Sequence, residues 1–132
     1  MEIILSDKIW LSPPDMGEEE IELLKDAFNS NWIAPLGPYV NQFEKEISEY
    51  LNVEDAAAVS SGTAALHLAL IINGIKEGDS VLCPSLTFAA SANVIIYQKA
   101  IPVFIDSCPN TWTIDLNALE LAIDKFKPKA LI

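Results

Sequence analysis

Apolar positions recur at helical spacing twice near the start of the chain, as Ile21, Leu24 and Phe28 after Gly17 and as Val40, Phe43, Ile47 and Leu51 after Pro38. Both stretches predict amphipathic surface helices packed on a larger body. Between them runs Asn31-Trp32-Ile33-Ala34-Pro35-Leu36-Gly37-Pro38, whose two prolines and glycine interrupt any helix. Its Trp, Ile and Leu are too apolar for a solvated linker, so this loop is expected to pack against something. From Asp55 onward short apolar runs alternate with helical segments, the pattern of βα units that build a parallel sheet. Strands are expected at 56–59, 80–83 and 101–105. A helix at 63–73 is apolar almost all round, which predicts burial, and another is expected at about 88–98. Asp115 is a candidate N-cap for a helix that turns Leu116, Leu119, Ile123 and Phe126 inward. Residues 129–132 read as the opening of a fourth strand. A strand in a parallel sheet needs its partner and crossover, so the chain is expected to be incomplete. The expected division is 1–54 for the early helices and loop, and 55–132 for the first part of an α/β domain.

Length and composition agree with a globular chain. Its 132 residues, 51% of them apolar, are enough for one domain to bury a core. No apolar run approaches the roughly 18 residues a membrane-spanning helix needs, and charges between Met1 and Lys8 interrupt what a signal peptide would keep apolar. Neither export nor membrane insertion is expected. Acidic residues outnumber basic ones 19 to 8, every basic residue is a lysine, and the net charge is -11. That balance argues against nucleic acid as a partner, because a phosphate backbone is held by clustered Lys and Arg. Any phosphate bound here must be small and held locally. Cys83, Cys108 and the single histidine, His67, do not fall at zinc-binding spacings, so no metal is expected. Two dispersed cysteines suit a reduced, cytoplasmic setting.

Ligands of an open parallel sheet sit just beyond the carboxyl ends of its strands, which directs attention to the turns at 60–63, 84–88 and 106–109. In the first, Ser61 is a good N-cap and Gly62 lets a ligand approach the backbone. The amides of Thr63 and Ala64 are expected to stand unpaired at the positive end of a helix, and the Thr63 hydroxyl adds a side-chain donor. That combination is an anion seat suited to one phosphate monoester. Phe88, opening the next helix on the same edge, could lie flat against a ring whose phosphate tail fills the first turn. The simpler alternatives are that Ser-Gly-Thr is a tight turn with an ordinary cap and that Phe88 belongs to a core. His67 stands one turn after Thr63, where the simpler reading is a hydrogen-bonded histidine on a helix face. The acidic run Glu18-Glu19-Glu20 suits a solvated first helical turn, and Cys83 and Cys108 suit small apolar fillers. Glycines at 17, 37, 62, 74 and 78 make neither a dinucleotide fingerprint nor a P-loop, and no Gly-x-Ser-x-Gly elbow exists.

Together, Ser60-Ser-Gly-Thr-Ala-Ala-Leu-His-Leu-Ala-Leu70 and Pro84-Ser-Leu-Thr-Phe-Ala-Ala-Ser-Ala-Asn93 resemble the DegT/DnrJ/EryC1/StrS aminotransferases. Pro102-Val-Phe-Ile-Asp106, and Trp32-Ile-Ala-Pro-Leu-Gly-Pro38 leading to Phe43-Glu44, extend the resemblance over nearly the whole chain. It implies an α/β fold, the large domain of a fold-type-I pyridoxal-phosphate-dependent transferase, with a mostly parallel sheet in a three-layer α/β/α sandwich. It implies pyridoxal 5'-phosphate as cofactor, with Gly62, Thr63 and Ala64 at its phosphate and Phe88 stacked on its pyridine ring. The loop at 32–38 resembles the segment that shapes the sugar-nucleotide pocket. The family's pyridine-nitrogen aspartate and reactive lysine come from sequence beyond Ile132, so no catalytic residue is expected in this chain. Alone it is expected to be inactive and to bind cofactor weakly or not at all. The complete enzyme implied is a homodimer that converts a nucleotide-linked keto sugar to an amino sugar with glutamate as donor, for surface polysaccharide or glycan synthesis. Two alternatives share the resemblance: a pyridoxamine-phosphate-dependent sugar dehydratase with histidine in place of the lysine, and a non-catalytic regulatory relative.

Overall fold

The computed structural model describes residues 12–132, so the charged opening from Met1 to Lys8 lies outside the described residues. The chain divides into two compact units, Met1–Ala58 and Val59–Ile132.

The first unit holds α1, Glu19–Asn29, and α2, Pro38–Leu51. Glu19, Glu20 and Glu22 occupy the first turn of α1, where the helix dipole favours negative charge. Pro38 opens α2 at a position whose N–H has no helical partner anyway, and Asn52 closes it in the left-handed conformation. The Tyr39 hydroxyl donates to Asp26 Oδ2 at 2.7 Å, linking the two helices. That hydrogen bond to a carboxylate pushes the tyrosine's pKa up. Neither helix buries a residue. In the loop between them the Trp32 ring lies so close to Gly37 that a methyl group there would come within 3.0 Å of it. Ile33 and Leu36 nevertheless stay exposed, contrary to the expected packing of the loop. Two short helices form one layer, and a layer cannot cover its own apolar face.

The second unit is a three-stranded parallel sheet with helices on both faces. Its elements are α3 (Gly62–Ile72), β1 (Ser80–Pro84), α4 (Ala89–Tyr97), β2 (Ile101–Ile105), α5 (Leu116–Phe126) and β3 (Ala130–Leu131). The strand order is β2-β1-β3, with Leu82 opposite Val103 on one side and Leu131 on the other. Side chains alternate along β1. Val81 and Cys83 enter a cluster with Leu70 of α3 and with Val94 and Ile95 of α4. Leu82 enters a second cluster with Ile105 and with Ala122 of α5. Val81, Leu82, Cys83, Val94 and Ile95 are almost wholly buried, the larger of these side chains contributing about 1.5–3 kcal/mol each. Successive crossovers that run first to one side of β1 and then to the other must, at constant right-handedness, lie on opposite faces. This is why α4 and α5 flank the sheet.

Three expectations fail here. Of the inward face expected for α5 only Leu119 packs on the core, while Leu116, Ile123 and Phe126 are exposed and the small Ala118 and Ala122 turn inward instead, letting the helix lie close to the sheet. No strand forms at 56–59: the segment is irregular and has no ladder partner among the described residues. Ala56, Ala57 and Ala58 are weak strand formers, and the Ala58 amide donates instead to Glu44 Oε1 at 2.8 Å. The helix expected to be buried all round, α3, buries only Leu70. One face meets α4 and the sheet while Ile72, 82% exposed, has no cover.

Candidate functional site

Hydrogen bonds at the ends of α3 and α4 fix which edge of the sheet each helix starts from. Gly74, just past α3, accepts from Lys129 Nζ at 2.8 Å, and the Lys129 amide donates to the carbonyl of Ser80, the first residue of β1. Gly78 likewise donates to the Lys99 carbonyl just past α4, and Ile101 to that of Asp79. Both helices therefore end at the amino edge of the sheet. Leu66 and Leu70 hold α3 against the sheet, and its eleven residues rise roughly 16 Å. Both helices run against the strands, so Gly62 and Phe88 stand on the same carboxyl edge.

At the start of α3, Ser61 is extended, with φ -165°, and its hydroxyl accepts from the Ala64 amide at 3.2 Å. This departs from the expected pair of open amides, because the cap already occupies that of Ala64. The amides of Gly62 and Thr63 have no partner among the described residues. No acidic side chain in the first turn neutralises this end of the helix. A methyl group placed on Gly62 would meet nothing within 4 Å, so the backbone is open to approach. At the start of α4, Phe88 is the N-cap, supplies no side-chain cap, and holds its ring 82% exposed. Its backbone is fixed by the Ser91 amide on the Phe88 carbonyl at 3.0 Å, and the loop by the Thr87 and Ser91 hydroxyls, also 3.0 Å apart. The core alternative for Phe88 does not hold among the described residues.

The crossovers leaving β1 and β2 lie on opposite faces, which opens a crevice between the carboxyl ends of these neighbouring strands, where ligands of such sheets bind. Two side chains that local pattern did not single out meet there. The Ser85 amide donates to the Ile105 carbonyl at 2.8 Å, and the Ser85 hydroxyl lies 3.5 Å from Asp106 Oδ1. The same Oδ1 accepts from the Ser107 amide at 2.8 Å, while Ser107 Oγ is buried without a partner among the described residues. The pairing of residues 21 apart leaves no mark on local periodicity; only the alignment of two strand ends could have pointed to it.

The other candidates separate from this edge. His67 turns its ring to α4, with Nε2 hydrogen-bonded to the Gln98 amide and the Tyr97 ring edge-on, centroids 5.5 Å apart. Glu18, Glu19 and Glu20 are exposed at the start of α1. Cys83 is buried in the sheet, and burial pushes its thiol pKa up. Cys108 is partly exposed, and hydrogen bonds from the Thr111 hydroxyl, then from the Asn110 and Thr111 amides, pull its pKa down. Among the described residues no three His, Cys, Asp or Glu side chains converge to hold a metal ion, and no helix is long and apolar enough to cross a membrane. A groove of about 660 Å³ lies within the first unit against Leu24, Phe28, Trp32, Ile33 and Pro35, and no titratable side chain among the described residues lines it.

Comparison with known proteins gives a consistent picture. The model of the DegT/DnrJ/EryC1/StrS aminotransferase family matches residues 14–132. EpsN of Bacillus subtilis (strain 168), provisionally named a pyridoxal phosphate-dependent aminotransferase, is 56% identical over 130 residues, 95% of this chain and 34% of EpsN. GDP-perosamine synthase of Escherichia coli O157:H7 is 41% identical over 90% of this chain and 32% of its own length. Among solved structures, Spr1654 from Streptococcus pneumoniae in its PMP form, provisionally named a sugar aminotransferase, superposes with a TM-score of 0.78 at 37% identity. That match covers 87% of this chain and 29% of Spr1654. The chain thus spans about a third of the length of the relatives it matches.

Proposed function

Because the chain belongs to the DegT/DnrJ/EryC1/StrS aminotransferase family, we propose that it forms the cofactor-cradling part of a pyridoxal-phosphate-dependent sugar aminotransferase. The observation that carries this is the placement of two helix starts on one sheet edge. One has open amides and an approachable glycine, the other an exposed aromatic ring.

These residues fit the cofactor. A phosphate monoester at the mouth of α3 takes the Gly62 and Thr63 amides and the Thr63 hydroxyl, with the helix dipole opposing its charge. The Ala64 amide, now donating to Ser61 Oγ at 3.2 Å, would become a further donor if that hydroxyl turned away. No lysine is needed, which suits the lysines as a whole: none lies in either turn. Phe88 supports the face of the pyridine ring, and Thr87 and Ser91 keep the loop that carries it in place. When bound, the cofactor supplies an electron sink for the carbon that gains or loses the amino group. This chain's residues hold and orient it; the group that moves protons belongs to the longer protein.

The substrate follows from the relatives. GDP-perosamine synthase is named for a nucleotide-linked amino sugar, which supports a nucleotide-linked keto sugar as acceptor and surface polysaccharide or glycan synthesis as the setting. Glutamate is the proposed amino donor, and a homodimer in the cytoplasm the proposed working form, in keeping with two unpaired cysteines. The test is to incubate the full-length protein with pyridoxal phosphate, glutamate and a panel of nucleotide-linked 4-keto sugars, following 2-oxoglutarate and the amino sugar by mass spectrometry. Stoichiometric appearance of both is expected. Turnover with no sugar in the panel, from protein loaded with cofactor, would overturn it.

A further inference from the structure

A cofactor held at one helix start and stacked at another requires a fixed offset between them. The apolar packing of Leu66 and Leu70 on α3 with Val94 and Ile95 on α4 is non-directional, so it sets the offset along the helices less sharply than a hydrogen bond does. A directional contact between the helices removes the freedom to slide. Between α3 and α4 that contact is made by His67, whose Nε2 meets the Gln98 side-chain amide while Tyr97 packs edge-on against the ring at 70°. Gln98 is itself anchored as the C-cap of α4, its backbone N–H shared between the Val94 and Ile95 carbonyls. His67 lies one turn past Thr63, so whatever holds its ring holds the mouth of α3 through a single helical turn.

We propose that the His67–Gln98 pair is a positioning device that sets the height of the α3 amino end, and with it the phosphate seat, relative to Phe88. The proposal rests on the cofactor reading above. It assigns His67 a purpose that touches neither substrate nor cofactor. Either orientation of the Gln98 amide supplies one hydrogen bond to a neutral imidazole, so the pin does not require a charged ring.

The experiment compares pyridoxal phosphate with pyridoxal, which has the ring and lacks the phosphate, as ligands of the full-length protein. A displaced phosphate seat is felt only by the first; a general loss of packing is felt by both. His67→Leu and Gln98→Leu are each expected to weaken pyridoxal phosphate about fivefold and to shift its phosphorus-31 resonance, with pyridoxal affinity unchanged. The double leucine variant should be no worse than the more affected single one. The exchange variant, His67→Gln with Gln98→His, should recover most of the loss. Gln98→Leu leaves α3 untouched and carries the test if His67→Leu fails to fold. Parallel weakening of both ligands, or no change in either, overturns the positioning role. Wild-type protein that binds pyridoxal as tightly as pyridoxal phosphate overturns the phosphate seat itself, and the proposal with it.

Discussion

At Gly62 folding and binding make opposite demands. The residue opens α3 without a left-handed backbone, and a methyl group there would meet nothing within 4 Å. Alanine should therefore stabilise the fold by about 0.5 kcal/mol, chiefly by narrowing the unfolded ensemble. The same methyl group stands in the space through which an anion reaches the Gly62 and Thr63 amides. The expected result for Gly62→Ala in the full-length protein is a melting temperature at or above wild type with pyridoxal phosphate bound at least about tenfold more weakly. Unaltered affinity in calorimetry would remove the α3 mouth from the site. Residues of this kind were legible because each acts locally: Ser61 caps, Gly62 opens the backbone, Phe88 begins a helix. The Ala64 amide was not, since whether a cap hydroxyl closes onto it depends on the Ser61 rotamer. His67 and Gln98, 31 positions apart, share no local pattern that could have paired them.

Helices were easier to read than strands because a helix closes its hydrogen bonds within itself, whereas a strand exists only through a neighbour. The inward face of α5 was visible only in part, at Leu119, whereas its start was visible as Asp115, whose carboxylate accepts from the Ala118 amide at 2.9 Å. Residues 56–59 satisfied the local pattern for a strand equally well, yet without a ladder the segment stays irregular. Burial of α3 was overstated for a related reason: apolar composition reveals what a helix can cover, not what is there to cover it. The cap on α5 offers a direct measure of local design. Asp115→Ala should cost about 1 kcal/mol through the lost bond to Ala118, and Asp115→Asn much less, because an amide oxygen caps nearly as well. Chemical denaturation of both variants decides this, and equal losses would mean that charge at the helix dipole, not the cap bond, supplies the stabilisation.

For the molecule as a whole, alternation of βα units made the parallel sheet and its functional edge readable, but the order β2-β1-β3 was not, because each crossover can pass to either side of the preceding strand. What closes the second unit at its amino edge is a contact between residues 50 apart, Lys129 Nζ to Asp79 Oδ2 at 3.1 Å. The same oxygen accepts from the Lys76 amide at 2.7 Å, and Lys129 also reaches the Gly74 carbonyl. Asp79 thereby ties the turn after α3 to the start of β3. First the Lys76 amide, then the Lys129 ammonium, hold its carboxyl below the usual carboxylate range. A carboxyl whose folded pKa lies below its unfolded value releases its proton more readily in the folded state. Its contribution is fully present above the unfolded pKa of about 3.9 and is lost as pH falls through the folded value. Between those two pH values the folded protein should lose stability more steeply than a variant lacking the group. In urea titrations of the full-length protein from neutral pH downward, Asp79→Asn is expected to be less stable near neutrality. Its curve should converge on wild type in acid, where the native carboxyl is protonated and can no longer pair with Lys129. A constant gap between the two curves down to the acid limit would show that Asp79 acts through shape and hydrogen bonding alone, and that the charge of Lys129 does not help close the sheet.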